Sequence, residues 1–350
     1  MPPIGTSLND NLLQYNKNNL NPVPTIAVIC PNPAIDVTAS SRSFSLGDNV
    51  AGAATNMRAG GKGTNVACVA ADLGAAPKLV APLGGKTGAA FRDLLDPRVS
   101  LHEISVHGDT RLCLTLASDG VITEIRGSGS AVSESEWEAF IVAAQEASAS
   151  ADATAICGSF PAESPVQWIQ ELIAAVTCPK VYVDTSGTHL AKAAECAGIT
   201  IAPNFDELQA LCGDTLGDKE PVYPLVPPSD RSAHAAGLVS MQQQKTAGLQ
   251  VLATLGEAGA GLLVEEQWHM AVPPEVHGNT VGAGDATLAA FILAQVRGLS
   301  PSAALKYAVA SGASAVVQPV AGHISPADVT RLESQTSLLS VAVDQDGTVG

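Results

Sequence analysis

Short runs of consecutive apolar residues recur along the chain, and several of them end at glycine, aspartate or asparagine. "TIAVIC" (25–30), "KLVAPLG" (78–84), "ATAICG" (153–158), "KVYVDTSG" (180–187), "GITIAPN" (198–204) and "GLQVLATLG" (248–256) have the length and continuity of strands buried on both faces. Between them the period changes. "TNVACVAADLG" (64–74), "SESEWEAFIVAAQEA" (133–147), "SPVQWIQELIAAV" (164–176) and "NFDELQALCG" (204–213) space their apolar residues as helices do, with Ser, Thr or Asn at plausible N-caps and Gly after several ends. Strand and helix in alternation predict an α/β fold, a doubly wound and mostly parallel sheet flanked by helices. Ligands of such a sheet gather at the carboxyl ends of its strands.

Two stretches break this rhythm. "AIDVTAS" (34–40) and "TRLCLTLASDGVITEI" (110–125) alternate apolar and polar residues, and the second holds a hairpin turn at Ser118-Asp119-Gly120. They predict a small β-sheet lid from segments about 34–50 and 108–127, with an extra edge of the main sheet as the other arrangement this pattern allows. The Pro-, Gly- and charge-rich stretch Asp214 to Pro228 predicts a loop before the helix "HAAGLVSMQQQKTAG" (234–248). Residues 1–24 are Asn-rich and residues 336–350 are polar, so both ends are expected to be loose, leaving one domain over 25–335.

Composition narrows the partners. With 350 residues, 46% apolar and 15% charged, the chain can bury a large core. A net charge of −16 with only 18 Lys and Arg argues against nucleic acid, whose phosphates draw on clustered cations. Eight of those 18 fall between Arg58 and Arg126, which marks the N-terminal third as the place for an anion, with solvated surface charge as the alternative. The seven cysteines stand singly with no C-x-x-C pair, as in a reducing compartment, and the seven histidines have no pairwise metal spacing. The first 24 residues lack the apolar stretch of a signal peptide, and no run of 18 apolar residues could span a membrane. A cytoplasmic location without a membrane partner is therefore expected.

"GNTVGAGDATLAAFILA" (278–294) carries the most specific chemistry. Glycines 282 and 284 let the backbone N–H groups of 282 to 285 crowd round a small ligand at the positive end of a helix, which makes an anion hole. Asp285 in that turn fits two roles: a helix cap, or a general base that takes a hydroxyl proton while the amides neutralise a transferring phosphoryl group. A second glycine cluster, "AGGKGTNVA" (59–67), sets Lys62 and Asn65 at another helix start and favours two polar or anionic ligands. "GGKTG" (84–88) only imitates a P-loop, because Val80 stands where its first glycine belongs. No Gly-x-Gly-x-x-Gly follows the first strand, so a dinucleotide oxidoreductase is poorly supported.

Nine motifs then fall in one order: "NPAIDVT" (32–38), "GGKGTNVA" (60–67), "LGG" (83–85), "DTR" (109–111), "GSFP" (158–161), "DTSG" (184–187), "PNFDEL" (203–208), "TLGEAGA" (254–260) and "TVGAGDA" (280–286). Over about 25 to 330 the chain resembles the ribokinase-like (PfkB) carbohydrate kinases, within them the branch of 1-phosphofructokinases and tagatose-6-phosphate kinases. The resemblance implies ATP-dependent phosphorylation of a sugar phosphate hydroxyl, with Asp285 as base and Gly282, Ala283 and Gly284 as the anion hole. It implies that Asp36, Gly61, Lys62 and Asn65 hold the sugar, that Arg111 and Ser159 lie on the substrate side, and that Thr254, Gly256 and Gly259 join Gly282 and Gly284 at the nucleotide. Asn204 and Glu207 match an element associated with Mg²⁺, held through water, and a homodimer through the lid is implied as well. The chain departs from the branch at Ala51 and Ala202, where an arginine and a lysine are expected. Ala51 keeps open a kinase of an unphosphorylated sugar or nucleoside; a sugar- or nucleotide-binding regulator of the same fold without turnover is the competing class, against which Asp285 speaks for the enzyme.

Overall fold

The computed structural model describes residues 22–41, 47–118, 121–213 and 230–343. Residues 1–21, 42–46, 119–120, 214–229 and 344–350 lie outside the described residues, and with them the turn expected at 119–120, the loop expected over 214–228 and part of the expected lid segment 34–50. The main sheet runs, in spatial order, β5 (Ser100–Ser105), β4 (Ala76–Leu83), β1 (Thr25–Ile29), β8 (Ala153–Cys157), β9 (Val181–Asp184), β10 (Ile199–Ile201) and β11 (Gln250–Thr254), all parallel. β12 (Ala260–Val264), β13 (Gln267–Val272) and β14 (Ser337–Ala342) extend it antiparallel beyond β11. The strands after β1 leave it in both directions, to β4 on one side and β8 on the other. That divergence opens a crevice at the carboxyl ends of β1 and β8.

Neighbouring residues of β1 point to opposite faces and so divide the core in two. Ile26 and Val28 belong to the cluster that also takes in α1 (Lys62–Asp72), α2 (Gly85–Leu94), α8 (Ala283–Val296), α9 (Pro301–Val316) and α10 (Pro326–Gln335), while Ala27 and Ile29 belong to the one with α3 (Glu134–Ala149), α4 (Trp168–Ala175), α5 (Gly187–Ala193), α6 (Phe205–Cys212) and α7 (Arg231–Lys245). α8 has no polar stripe because it has no wet side. Every residue from Asp285 to Ala294 is buried, with α1 and α9 packed against the helix. Burial of this kind fixes the first turn of α8, and with it Asp285, more rigidly than a surface helix could.

The small sheet has the order β3 (Ala54–Gly60), β2 (Ala34–Ser41), β6 (Arg111–Ser118), β7 (Val121–Arg126). It is a separate sheet rather than an edge of the main one. β3 has weak strand character in "ATNMRAG" and owes its conformation to antiparallel pairing with β2 from Ala34↔Gly60 to Ser40↔Ala54. The C-terminal stretch differs from the loose end expected for it. Residues 337–342 form β14 through backbone pairing with β13, although Leu338 and Leu339 stay exposed, so side-chain burial gave no sign of this edge strand. All seven cysteines are free, and no helix among the described residues is long and apolar enough to cross a membrane.

Candidate active site

The small sheet presents two chemically different faces. One cross-strand row is Met57, Val37, Leu114 and Ile125, and the next is Arg58, Asp36, Cys113 and Arg126. Side chains alternate across a strand, so the rows lie on opposite sides. In the first row Met57 and Ile125 are 48% and 53% exposed, an apolar surface turned to solvent. The second row faces the crevice, where Arg58 Nη2 donates to Asp36 Oδ2 at 2.5 Å and Arg58 Nη1 donates to Asn65 Oδ1 at 2.7 Å.

Asn65 passes this connection on. Its Nδ2 donates to Asp285 Oδ2 at 2.6 Å, so one chain of hydrogen bonds runs from Asp36 through Arg58 and Asn65 to Asp285. The backbone is built to permit the approach. Gly322 has φ +78°, and a Cβ there would stand 2.6 Å from Asn65 Oδ1 and 3.1 Å from Arg58 Nη1. A Cβ on Gly60 would sit 2.2 Å from the Asp36 carboxyl group. Both positions demand glycine on steric grounds.

Lys62 opens α1 after Gly61, whose φ of +90° turns the chain from β3 into the helix. Its Nζ donates to Asp184 Oδ1 at 2.6 Å, at the carboxyl end of β9. Burial alone would depress the Lys62 pKa, but the carboxylates of Asp184, Asp285 and Glu207 outweigh it and hold the ammonium well above its usual range. Asp285 responds in the other direction. Burial first, then the Asp184 carboxylate, push it up to about 6, against the opposing pull of Lys62, the Asn65 hydrogen bond and Arg58. A carboxylate poised there is suited to taking a proton near neutral pH.

Gly282 is the left-handed N-cap of α8, with φ +84°. Ala283 N donates to Thr280 O at 3.2 Å and Ala286 N to Gly282 O at 2.9 Å, whereas the amides of Gly284 and Asp285 have no acceptor among the described residues. The free N–H groups at the helix start are thus those flanking the carboxylate. A phosphoryl oxygen placed there would meet them and the helix dipole together.

On the substrate side Arg111 donates to Gly127 O at 3.1 Å and Asn32 O at 2.9 Å, while its Nε is buried without an acceptor among the described residues. Asn32 in turn donates to Ser128 O, Ser159 Oγ and Phe160 O, which ties Ser159 to the end of β1. A small cleft opens here among Asn32, Pro33, Asp109, Arg111, Gly129 and Ser130.

The remaining predicted residues form a second group. Asn204 and Glu207 make a reciprocal capping box on α6: Glu207 N donates to Asn204 Oδ1 and Asn204 N to Glu207 Oε2, both at 2.9 Å. Thr254 bridges to Asn204, and Leu255 to Gly259 form a tight turn in which Leu255 N donates to Gly259 O at 2.8 Å. Gly256 has φ +66°, and a Cβ on Gly259 would lie 1.9 Å from Ala271 O. Arg231 stands beside this turn, 5.4 Å from the centre of the Phe205 ring. Lys62 connects the two groups, since both Asp285 and Glu207 act on its charge.

Three participants escaped the sequence reading of the site. Asp184 lies in the quoted "DTSG" and ends a buried strand, which was the available signal, but its partner Lys62 is 122 residues away. Asn32 lies in "NPAIDVT" in the same way. Arg231 follows a stretch with no motif, and nothing in the sequence pointed to it.

A profile described as pfkB family carbohydrate kinase matches residues 26–328. The chain belongs to the PfkB family of carbohydrate kinases. The kinase is 28% identical over 318 residues to the 1-phosphofructokinase of Vibrio cholerae, covering 89% of this chain and 95% of that one. It is 29% identical over 304 residues to the 1-phosphofructokinase of Escherichia coli, covering 85% and 92%. Among solved structures it is similar to the tetrameric inhibited form of Escherichia coli phosphofructokinase-2, with a TM-score of 0.76, 25% identity, and coverage of 90% of this chain and 99% of that one. The protein is an ATP-dependent sugar kinase of ribokinase-like fold.

Proposed function

We propose that this kinase phosphorylates a sugar phosphate, with Asp285 as the general base and the free amides at the start of α8 as the anion hole. The hydrogen-bond chain Asp36–Arg58–Asn65–Asp285 carries the reading, because it joins a carboxylate suited to sugar hydroxyls directly to a buried carboxylate suited to deprotonation. Asp285 takes the proton of the attacking hydroxyl, and the amides of Gly284 and Asp285 meet the charge on the transferring phosphoryl group. Lys62 balances the carboxylates around it. The 1-phosphofructokinase relatives favour fructose 1-phosphate within the class. An ADP-release screen over fructose 1-phosphate, fructose 6-phosphate, tagatose 6-phosphate, ribose and nucleosides tests this; a preference for an unphosphorylated acceptor refutes it.

The substrate phosphate needs cations, and Ala51 supplies none. Arg58 and Arg126 share the row of Asp36 on the crevice side, and Arg111 adds a third guanidinium near Asp36. Of these, Arg58 is our candidate for the role of the missing arginine. Arg58→Ala should raise KM for the sugar phosphate by about 10–100 fold, from losing a charge-assisted bond of ~1.5–3 kcal/mol, while KM for ATP changes little. An unchanged sugar KM in steady-state assays removes Arg58 from the substrate site.

Mg²⁺ fits the nucleotide side. The capping box uses Oε2 of Glu207 and leaves Oε1 for a metal-bound water, and burial pushes the Glu207 pKa up while Lys62 opposes it. Bound there, the ion would neutralise charge on the ATP phosphates. Glu207→Gln preserves a capping box, since Gln caps as Glu does, so the thermal midpoint should hold while the Mg²⁺ needed for half-maximal rate rises. If the Mg²⁺ titration is unmoved, Glu207 is a helix cap only.

Met57, Leu114 and Ile125 of the first row are exposed while Val37 between them packs against the main core, and these three support a homodimer through the lid, because exposed apolar side chains on a thin sheet are most stable when covered. Leu114→Glu should shift the chain to monomer in sedimentation velocity. A wild type already monomeric at high concentration rejects the dimer.

A further inference from the structure

A second cluster of chemically active side chains lies behind the active site, on the far side of Asn65. Cys68 is on α1 three residues beyond Asn65, Asp96 follows α2, and His323 follows Gly322 in the segment between α9 and α10. One ligand atom from each of Cys68, Asp96 and His323 lies within 4.8 Å of the other two. We propose that these three residues form a zinc site that ties α1 to the 322–324 segment.

The donor set is the first argument. A thiolate, an imidazole and a carboxylate together suit Zn²⁺ better than Mg²⁺ or Ca²⁺, which take oxygen ligands, and three protein ligands leave a fourth position for water. Bond lengths of about 2.0–2.3 Å put tetrahedral ligands roughly 3.3–3.8 Å apart, so closing the cluster takes side-chain adjustment rather than a change of fold.

The surroundings are the second argument. His323 Nδ1 lies 3.1 Å from Asp72 Oδ2, and Ile324 N donates to the same oxygen at 3.0 Å. In the tautomer that donates Nδ1–H to this carboxylate, the imidazole presents the lone pair of Nε2, the arrangement usual behind zinc-bound histidine. Arg98 holds the acids from outside the cluster. Its Nη2 reaches Asp72 Oδ1 and Asp96 Oδ2, both at 2.6 Å, and its Nε reaches Asp96 Oδ1 at 3.0 Å. Asp96 also accepts from the Arg98 backbone N at 2.9 Å on Oδ1, and the single Nε–H is shared between Oδ1 at 3.0 Å and Oδ2 at 3.2 Å, so a metal takes an Oδ2 lone pair by displacing the longer, shared Nε contact.

Charge closes the argument. Without metal, Arg98 faces two carboxylates, and the cluster is one negative charge in excess. Binding would release one proton from the Cys68 thiol and form the S–Zn bond; thiolate and Asp96 then neutralise Zn²⁺, while Asp72 and Arg98 neutralise each other. The bound cluster has no net charge. Because Gly322 packs on Asn65 and Arg58, occupancy would clamp the two segments that position the Asp285 hydrogen-bond chain.

Titration of the metal-free full chain with Co²⁺, in the absence of ATP and sugar, tests the site. One Co²⁺ per chain should bind with a thiolate-to-metal charge-transfer absorption, and Zn²⁺ should displace it. The absorption should vanish in Cys68→Ala, and Zn²⁺ binding should weaken about 10–100 fold in Asp72→Asn. His323→Gln, a half-exposed position where the bond to Asp72 can be kept, provides the same test should Cys68→Ala not fold; it too should abolish the absorption. A wild type without that absorption, or an absorption that survives unchanged in Cys68→Ala or His323→Gln, overturns the proposal and in the second case places the metal on another cysteine.

Discussion

Asp285→Asn should lower kcat by about 10²–10⁴ while ATP still binds, because the amide fills the space of the carboxylate but cannot take the substrate proton. The same substitution should leave the thermal midpoint unchanged or raise it. Burial and the Asp184 carboxylate push Asp285 up to about 6, from 3.8 in an unstructured chain, so the folded protein disfavours its ionised form. For a group whose pKa rises on folding, stability present at low pH is lost as pH climbs through the window from about 4 to 6. Asparagine carries no such penalty at neutral pH, and its side-chain oxygen can still accept from Asn65. Activity and stability therefore move apart, which a residue serving only as a cap would not produce: asparagine serves a helix start about as well as aspartate, so turnover and midpoint would both hold. Turnover within a few fold of wild type, measured alongside the melt, would sink the assignment.

The motifs of the candidate site are legible in the sequence, and the pairing of their residues is not. Asp285, Gly282, Lys62 and Asn65 lie in two glycine-rich turns at helix starts, and such turns are readable because few residues tolerate their backbone and few purposes need it. Asp36 was read as a sugar ligand, whereas its bond to Arg58 depends on the β2–β3 register, and β3 has no strand pattern of its own to reveal that register. The Asn65–Asp285 bond spans 220 residues and the Lys62–Asp184 pair 122, separations that only the order of strands in the sheet brings together. β14 was illegible for a related reason. Its hydrogen bonds are made by backbone, and its exposed leucines break the link between apolar character and burial on which strand reading relies. The histidine spacing likewise excluded a local metal motif and could not speak to His323, which meets Asp72 across 251 residues.

The acid limb of kcat/KM should lie near pH 6, and the two partners of the Lys62–Asp184 pair should move it in opposite directions. With Asp285 as the proposed base the rate follows its ionised form, so it should be level above about pH 6 and fall tenfold per unit below. The charges acting on Asp285 are Asp184, which raises its pKa, and Lys62 and Arg58, which lower it, with the Asn65 hydrogen bond adding to the lowering. Lys62→Met removes a favourable charge from a buried site and should move the limb upward by roughly one unit or more, a tenfold or greater loss at pH 6 beyond any effect on binding. Asp184→Asn should move it downward for two reasons: a repelling carboxylate is gone, and the Lys62 ammonium, released from its 2.6 Å ion pair, is left to Asp285 and Glu207. General damage to the site would lower the plateau in both variants without moving the limb. Opposite shifts place the titrating group between those two charges, a position Asp285 shares with Glu207, and a limb that stays near pH 6 in Glu207→Gln assigns it to Asp285. Parallel shifts, or a limb fixed in both variants, would assign the acid limb to another group and leave Asp285 without its proposed role as base.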